Sequence, residues 1–431
     1  MRAPRATRAV ATLPLTAVLA ATIGVLALGL AQKAPCATGD WSDGRQYRWL
    51  CYTDLVPLFH SERMNTGRLP YLDPCPLAAT ACDEYPVLTM YFMRVSAWLS
   101  GDTSGSFFVV NAALLSLLAV LTAWLLYKMA GNRALYFALA PTLLVYAFIN
   151  WDLFVIALAT GATYTFFRRK DRATGVLLGL GTAAKLYPVL LLLPFCVDRW
   201  RKEGLRPAGG IAAWAAGAWA ITNVPFAIAA SESWATFFTM NSDRTPDYTS
   251  LWYAACHRIT ANTTCSWSPH LINVFSLFAF VVVAGVAWWA RRRRTPDFPR
   301  WTLAFPLIAA FLLTNKVYSA QYSLWLLPWF ALALPKLRLF VAFEVADIAV
   351  FLVQFTWFGT LLRDQGDPGF AGFAGPPLGA FELALVVRAV VLVACLVAWV
   401  QRKEDEPGQG LGLTPDGVAP RYRSSTASGT R

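Results

Sequence analysis

Long apolar runs separated by short polar breaks dominate the chain. The first covers Val10–Ala31, and others follow at 106–127, 134–149, 153–167, 173–184, 186–197, 208–229, 271–290, 301–314, 323–335, 339–357 and 379–400. Several reach the ~20 residues that a helix needs to cross ~30 Å of hydrocarbon. Because unpaired backbone groups are so costly in lipid, such runs predict helices. The expectation is an all-α polytopic membrane protein with about twelve crossings.

Basic residues fall between the runs, at Lys128 and Arg133, Arg168–Arg172, Arg199–Arg206, Arg291–Arg294, Lys336 and Arg338, and Arg402 and Lys403. With Arg2, Arg5 and Arg8 held in the cytoplasm, counting crossings places all of these clusters on that side, and both termini with them. Two segments must then behave unusually. Residues 173–197 cross twice as short helices that meet near Lys185 and Pro188, and 86–99, which carries Arg94, forms a juxtamembrane or re-entrant helix on the outer side. The polytopic unit runs over 1–403, with outer loops at 32–105 and 230–270, and residues 404–431 read as a disordered cytoplasmic tail. The first run serves as an anchor or, alternatively, as a cleaved signal.

Composition agrees with this organisation. Of 431 residues, 57% are hydrophobic and only 14% are charged, which excludes an ordinary soluble globule. The net charge of +12 follows from the cytoplasmic clusters and calls for no nucleic acid. Six of the eight cysteines lie in the outer loops, in even sets, as expected where oxidation is permitted. A Cys256–Cys265 bridge is expected, whereas Cys36, Cys51, Cys75 and Cys82 allow three pairings. Cys196 and Cys395 read as core residues near cytoplasmic helix ends. The sequon Asn262-Thr263-Thr264 reads as chance.

Residues that are expensive near a bilayer collect toward the outer rim, including Asp54, Glu62, Arg63, Glu84, Asn150, Asp152, Lys185, Arg244, Asp247, Asn315, Lys316 and Gln321. Charges at membrane depth normally face a cavity, so the outer end reads as a wet, mixed-charge site. No phosphate-binding Gly loop, dinucleotide motif or zinc spacing is present in the sequence, and no cofactor is expected. A divalent ion on Asp54 and Glu62 has no support.

The segment Cys51-Tyr52-Thr53-Asp54-Leu55, with Glu62-Arg63 and Gly67-Arg68-Leu69-Pro70-Tyr71 after it, resembles the first outer loop of polyprenyl-phosphate-sugar-dependent glycosyltransferases of the GT-C fold. Glu84-Tyr85-Pro86, Asn150-Trp151-Asp152, Ala184-Lys185-Leu186-Tyr187-Pro188 and Lys316-Val317-Tyr318-Ser319-Ala320-Gln321-Tyr322 extend the match. Together they are similar to glycosyltransferase family 87, over roughly residues 10–400. The resemblance implies a GT-C-like bundle, a polyprenyl-phosphate sugar donor, a glycolipid or glycan acceptor, and Asp54 as catalytic base. Where some mannosyltransferases of the family carry a His pair, this chain has Gln321-Tyr322.

The chemistry leads to the same residues. A sugar on a lipid phosphate has a stable leaving group, so one carboxylate to deprotonate the acceptor hydroxyl and cations to hold the phosphate suffice. In-line attack would invert the anomeric centre. Asp54 is the candidate base, set against a solvated loop carboxylate or helix cap. Lys185 is the leading phosphate ligand, set against a lysine snorkelling to the interface. Arg63 and Lys316 are secondary phosphate candidates. Asn150 and Asp152 could orient acceptor or sugar, and Gln321 and Tyr322 could bond sugar hydroxyls. Otherwise Tyr322 joins Trp325 and Trp329 in an interfacial aromatic belt. The expected activity is transfer of a hexose, mannose by preference, at the outer face. Two rivals stand beside it. A transporter or lipid flippase often shows broken helices in both halves of the chain, and only the pair near Lys185 is evident, which counts against transport; a structural assembly protein would need no chemistry at all.

Overall fold

A computed structural model describes residues 13–75, 82–261 and 265–402. Arg2, Arg5 and Arg8, the sequon at 262–264 and the tail from residue 403 lie outside the described residues. No strand occurs among those described.

In chain order, α1 is Leu15–Lys33, the short α2 is Arg45–Arg48, and α3 is Leu55–Ser61. Then come α4 (Val87–Ser100), α5 (Ser104–Ala130), α6 (Leu135–Ala138), α7 (Pro141–Tyr146) and α8 (Asp152–Phe167). The middle of the chain holds α9 (Asp171–Ala184), α10 (Val189–Glu203), α11 (Leu205–Ala229), α12 (Ser231–Asp243) and α13 (Leu251–Thr260). The last elements are α14 (Pro269–Arg294), α15 (Ala304–Thr314), α16 (Leu327–Leu332), α17 (Leu337–Asp364) and α18 (Leu378–Gln401).

Six described stretches are long and apolar enough to cross a membrane: Leu15–Cys36, Ser104–Ala138, Leu205–Ala229, Pro269–Arg294, Leu337–Asp364 and Leu378–Gln401. The protein is therefore a multi-pass membrane protein. The helix limits follow local chemistry: Thr103 caps α5 by accepting from the Ser106 N–H, Ser250 caps α13 by accepting from Tyr253, and Gly204, at φ 95°, closes α10.

The expected twelve crossings are not twelve full-length helices. Residues 134–149 divide into α6 and α7, because Pro141 offers no N–H to continue a helix and Ala140 before it is extended. Residues 323–335 likewise divide: a 3-10 stretch over Ala320–Leu326 leads into the six-residue α16. Residues 323–334 are all buried, so this irregular backbone sits inside protein, where it is tolerated at membrane depth. The second half therefore does contain a broken segment, and the sequence argument that counted its absence against a transporter does not stand.

Around 173–197 the expectation of two short helices is met by α9 and α10, with Lys185 as the extended residue that ends α9. The segment expected at 86–99 is the 14-residue α4, Val87–Ser100, shorter than a span. α9 packs closely along α11: a Cβ at Gly179 would stand 2.3 Å from the Ala215 carbonyl oxygen, so only glycine permits this approach.

The first loop is tied down at several points. Cys36 pairs with Cys51 and Cys75 with Cys82, while Cys256 pairs with Cys265. Thr53 donates to the Phe148 carbonyl at 2.6 Å, and the Asp54 N–H donates to the Ile149 carbonyl at 2.8 Å. Lys33, buried at the end of α1, donates to the Tyr52 carbonyl at 2.8 Å. These bonds carry the start of α3 to the residues that lead into α8.

Candidate active site

A cavity of about 710 Å³ opens where these elements meet, lined among others by Asp54, Glu84, Asn150, Lys185, Lys316, Gln321 and Tyr322. Six of the eight residues given site roles from the sequence thus share one chamber, Asp54, Asn150, Lys185, Lys316, Gln321 and Tyr322, together with the rim residues Glu84, Arg244, Asp247 and Asn315.

Asp54 precedes α3 without capping it, so both carboxylate oxygens are free for other partners. Tyr52 OH donates to Oδ1 at 2.7 Å, and Asn150 Nδ2 donates to Oδ2 at 2.8 Å. The same Nδ2 lies 2.7 Å from Tyr85 OH, and Asn150 Oδ1 accepts from the Trp151 N–H at 2.7 Å. Asn150 is therefore held at both ends of its amide and fixes the rotation of the carboxylate. Burial raises the Asp54 pKa above the ordinary aspartate range, opposed by hydrogen bonds from Asn150 and Tyr52 and by the charge of Lys185. A carboxylate disfavoured as an anion is a stronger base than one in water, while its two donors keep it oriented. On the same cavity, burial also raises the Glu84 pKa, with Asp54 adding to the rise and Arg244 opposing it.

The Lys185 ammonium is 2.9 Å from both Asp152 oxygens. It lies over the rings of Tyr322 at 4.7 Å and Trp325 at 5.7 Å. Trp325 stacks between Tyr187 and Tyr322, with centroids 4.2 and 4.1 Å away, and donates its Nε1 proton to Asp152 at 2.7 Å. Here a cation over aromatic faces stands at a cavity wall, with its counter-charge behind it.

Several sequence expectations are corrected. Asp152 is fully buried and does not line the cavity; it holds Lys185 and Trp325 and has no access to a substrate. Trp325 and Trp329 are 3% and 2% exposed, so neither belongs to an interfacial belt. Arg63 stands outside the chamber and lines a separate groove with Gly67 and Asp73. Lys316 lines the chamber, but its ammonium donates to the carbonyls of Ser242 at 2.9 Å and Arg244 at 2.6 Å, tying down the end of α12. Arg244 also lines the chamber, paired with Asp247 at 2.7 Å and with nearly half its side chain exposed. Glu62 lies outside the lining, its carboxylate accepting the N–H groups of Asp83 at 2.8 Å and Glu84 at 3.1 Å. Among the described residues no group of three His, Cys, Asp or Glu side chains is placed to hold a metal ion.

Other residues escaped the sequence reading. Tyr52 and Tyr85 were visible only as parts of motifs. Asp347 and Arg388 lie inside runs that read as plain apolar spans, yet they pair at 3.2 Å in the interior. Ser323 donates to Asp347 at 2.6 Å, and Arg388 lies 3.6 Å from the centre of the Tyr318 ring. This buried pair braces the 3-10 stretch that carries Gln321 and Tyr322. A charge in the middle of a long apolar run marks such a pair, because it must find a partner inside the bundle.

The family model for glycosyltransferase family 87 matches residues 84–314, more than half of the chain. The chain belongs to glycosyltransferase family 87. This family 87 protein is thus a membrane glycosyltransferase, and its chamber is lined from five of the resembling segments, at Tyr52 and Asp54, Glu84–Pro86, Asn150, Lys185–Tyr187 and Lys316–Tyr322, while Glu62-Arg63 and 67–71 lie outside it. Among solved structures it is similar to ArnT from Cupriavidus metallidurans bound to undecaprenyl phosphate, at 14% identity and a TM-score of 0.44, covering 89% of this chain and 77% of that one. The apo form of the same protein gives 14% identity and a TM-score of 0.42 over the same shares. No curated protein matches the chain.

Proposed function

We propose that this glycosyltransferase moves a hexose, mannose in the first instance, from a polyprenyl-phosphate carrier to a glycolipid or glycan acceptor outside the cytoplasm, with inversion of the anomeric centre. The observation that carries this reading is the presence of an oriented carboxylate, Asp54, and a cation, Lys185, on the walls of one cavity. Asp54 takes the proton of the acceptor hydroxyl as that oxygen attacks the anomeric carbon. The bond from that carbon to the phosphate oxygen breaks, and its electron pair leaves with the lipid phosphate. Lys185 is the chief counter-charge for the departing anion, with Lys316 and Arg244 at the same chamber. No acid is needed at the leaving group, because a lipid phosphate departs as a stable anion.

In this reading Asn150 keeps the base in register, and Gln321 and Tyr322, which line the chamber, bond sugar hydroxyls. With the N-terminus cytoplasmic, the basic clusters fall inside and the disulfide-bearing loops, with the chamber, fall outside. The test uses the full chain in lipid nanodiscs with a panel of polyprenyl-phosphate hexoses and a glycan acceptor. The expected result is transfer from the mannosyl donor, with the product anomer opposite to the donor's by NMR. Absence of transfer from every donor, or retained configuration, overturns the reading.

A further inference from the structure

The chamber has two chemically different aromatic groups. One is the Tyr187, Tyr322 and Trp325 stack beneath Lys185. The other comes from the first loop and α17. The rings of Tyr47 and Tyr52 stack with centroids 5.8 Å apart and planes 16° from parallel. Phe355 sits 5.5 Å from Tyr52, and Phe358 5.6 Å from Tyr47. All four rings line the chamber, and among the described residues no lysine or arginine stands over the faces of Tyr52 or Phe355 in the way that Lys185 covers the first stack.

Beside the rings, on the same helix, lies an unfilled polar requirement. Gln354, one residue before Phe355 on α17, lines the same chamber and is 5% exposed, and its amide oxygen has no hydrogen-bond partner. A buried amide oxygen without a partner carries a cost, and a turn of the Gln354 side chain toward the chamber it lines would let a ligand hydroxyl relieve it. The phenol of Tyr52 joins this wall directly to Asp54. A wall of neutral rings, an amide lacking a donor and a carboxylate make a surface for a group with an apolar C–H face and several hydroxyls. An anion is less suited to it, because Lys33, the cation that bonds the Tyr52 backbone, is buried behind it and does not line the chamber, while the Asp54 carboxylate does.

We propose that Tyr47, Tyr52, Gln354, Phe355 and Phe358 form the acceptor subsite, and that it takes a neutral pyranose whose ring face lies on the aromatic wall while one hydroxyl reaches Asp54. The inference rests on the reading of Asp54 as base and extends it to the class of acceptor: a sugar terminus, rather than a phosphate or a peptide side chain. The donor phosphate is held at the Lys185 end, so the two substrates meet across Asp54 without competing.

The test uses the full chain in nanodiscs with methyl mannobioside as acceptor probe, undecaprenyl phosphate as carrier probe and a polyprenyl-phosphate mannose donor. Saturating aromatic protein protons in an NMR saturation-transfer experiment is expected to attenuate the sugar ring C–H resonances. Gln354→Leu and Phe358→Ala are each expected to weaken that transfer about fivefold or more and to raise the acceptor KM roughly tenfold, leaving the donor KM unchanged. Excess undecaprenyl phosphate is expected to leave the sugar signal in place, and retained carrier binding by each variant shows that it is folded. If Phe358→Ala does not fold, the nearly isosteric Gln354→Leu decides alone. The proposal is overturned if the sugar signal is absent, if undecaprenyl phosphate abolishes it, or if the variants raise the donor KM instead. Sugar contact without transfer from any donor sinks the glycosyl-transfer reading itself, whereas transfer indifferent to both side chains sinks only the subsite.

Discussion

Asp54→Asn preserves the size of the side chain and removes its basicity, which makes it the sharpest perturbation of the chamber. In the native arrangement both oxygens accept, one from Tyr52 at 2.7 Å and the other from Asn150 at 2.8 Å. In the variant the remaining oxygen still accepts from Asn150, and the new NH₂ meets the Tyr52 hydroxyl, which can turn to accept it. Hydrogen bonds to a charged group become neutral ones, at a cost of about 1 kcal/mol. Neutralising a buried carboxylate offsets part of that loss, so folding changes little. The rate behaves differently. A positioned base contributes about 10²–10⁴ in rate, or ~2.7–5.4 kcal/mol of barrier at ~1.36 kcal/mol per factor of ten. The assay is single-turnover transfer of labelled mannose from polyprenyl-phosphate mannose in nanodiscs, with thermal melting measured in parallel. The expected outcome is a kcat lowered by at least 10²-fold, a nearly unchanged donor KM and a melting temperature within a few degrees of the parent. A kcat within threefold of the parent would show that another group takes the proton. The wild-type pH profile supplies a second check. Because the raised pKa of Asp54 belongs to a group that must be ionised to act, activity falls as pH drops through a value above the ordinary aspartate range.

Lys185→Met is expected to lower stability strongly, by about 3–5 kcal/mol, because it leaves Asp152 charged, buried and unpaired; adding Asp152→Asn should restore the melting temperature but not the donor KM, which is expected to stay at least tenfold raised. Replacing Cys36 and Cys51 by Ser opens a link of sequence separation 15, with an expected loss of about 3 kcal/mol and of activity, since Tyr52 and Asp54 follow directly; thermal melting and transfer assays check both. Burial pushes the Glu62 pKa from 4.5 up to about 7. The folded form then holds a proton that the unfolded chain has released, so stability should fall as pH rises across that window and level off above it. Glu62→Gln should flatten the slope toward pH 7 in melts recorded against pH, leaving the contribution of Asp54 and Glu84, whose pKa values are also raised. Gly179→Val, which would drive a side chain against the Ala215 carbonyl, should separate α9 from α11, and reduced melting temperature together with a raised donor KM would register the displacement of Lys185.

What the sequence disclosed follows from which interactions are local. Apolar runs and basic clusters report the solvent around each segment, and α1, α5, α11, α14, α17 and α18 emerged from them directly. The break at Lys185 was legible because two short apolar runs flanked one cation and a proline. The breaks at Pro141 and in 320–332 were hidden because continuous hydrophobicity looks the same whether lipid or protein surrounds it. Asp54, Asn150, Lys185, Gln321 and Tyr322 could be named because a polar residue is conspicuous in such a chain, but their partners could not. Asp152 was placed on the substrate side because sequence position does not tell a cavity wall from the layer behind it, and Arg63 was included for charge alone. Trp325 and Trp329 resembled belt residues until packing put them inside. The aromatic wall on α17 gave no sign at all, since Phe355 and Phe358 are indistinguishable in sequence from lipid-facing residues.

The bond from Trp325 to Asp152 spans 173 residues of chain. Biosynthesis through a translocation channel releases α8 and α9 long before the indole that completes their arrangement exists. Until that late segment inserts, Asp152 and Lys185 have only each other, and the stack beneath the lysine has no middle. A growing chain thus carries an unfinished chamber through most of its insertion, and the wall around Lys185 closes only when the segment bearing Trp325 joins it.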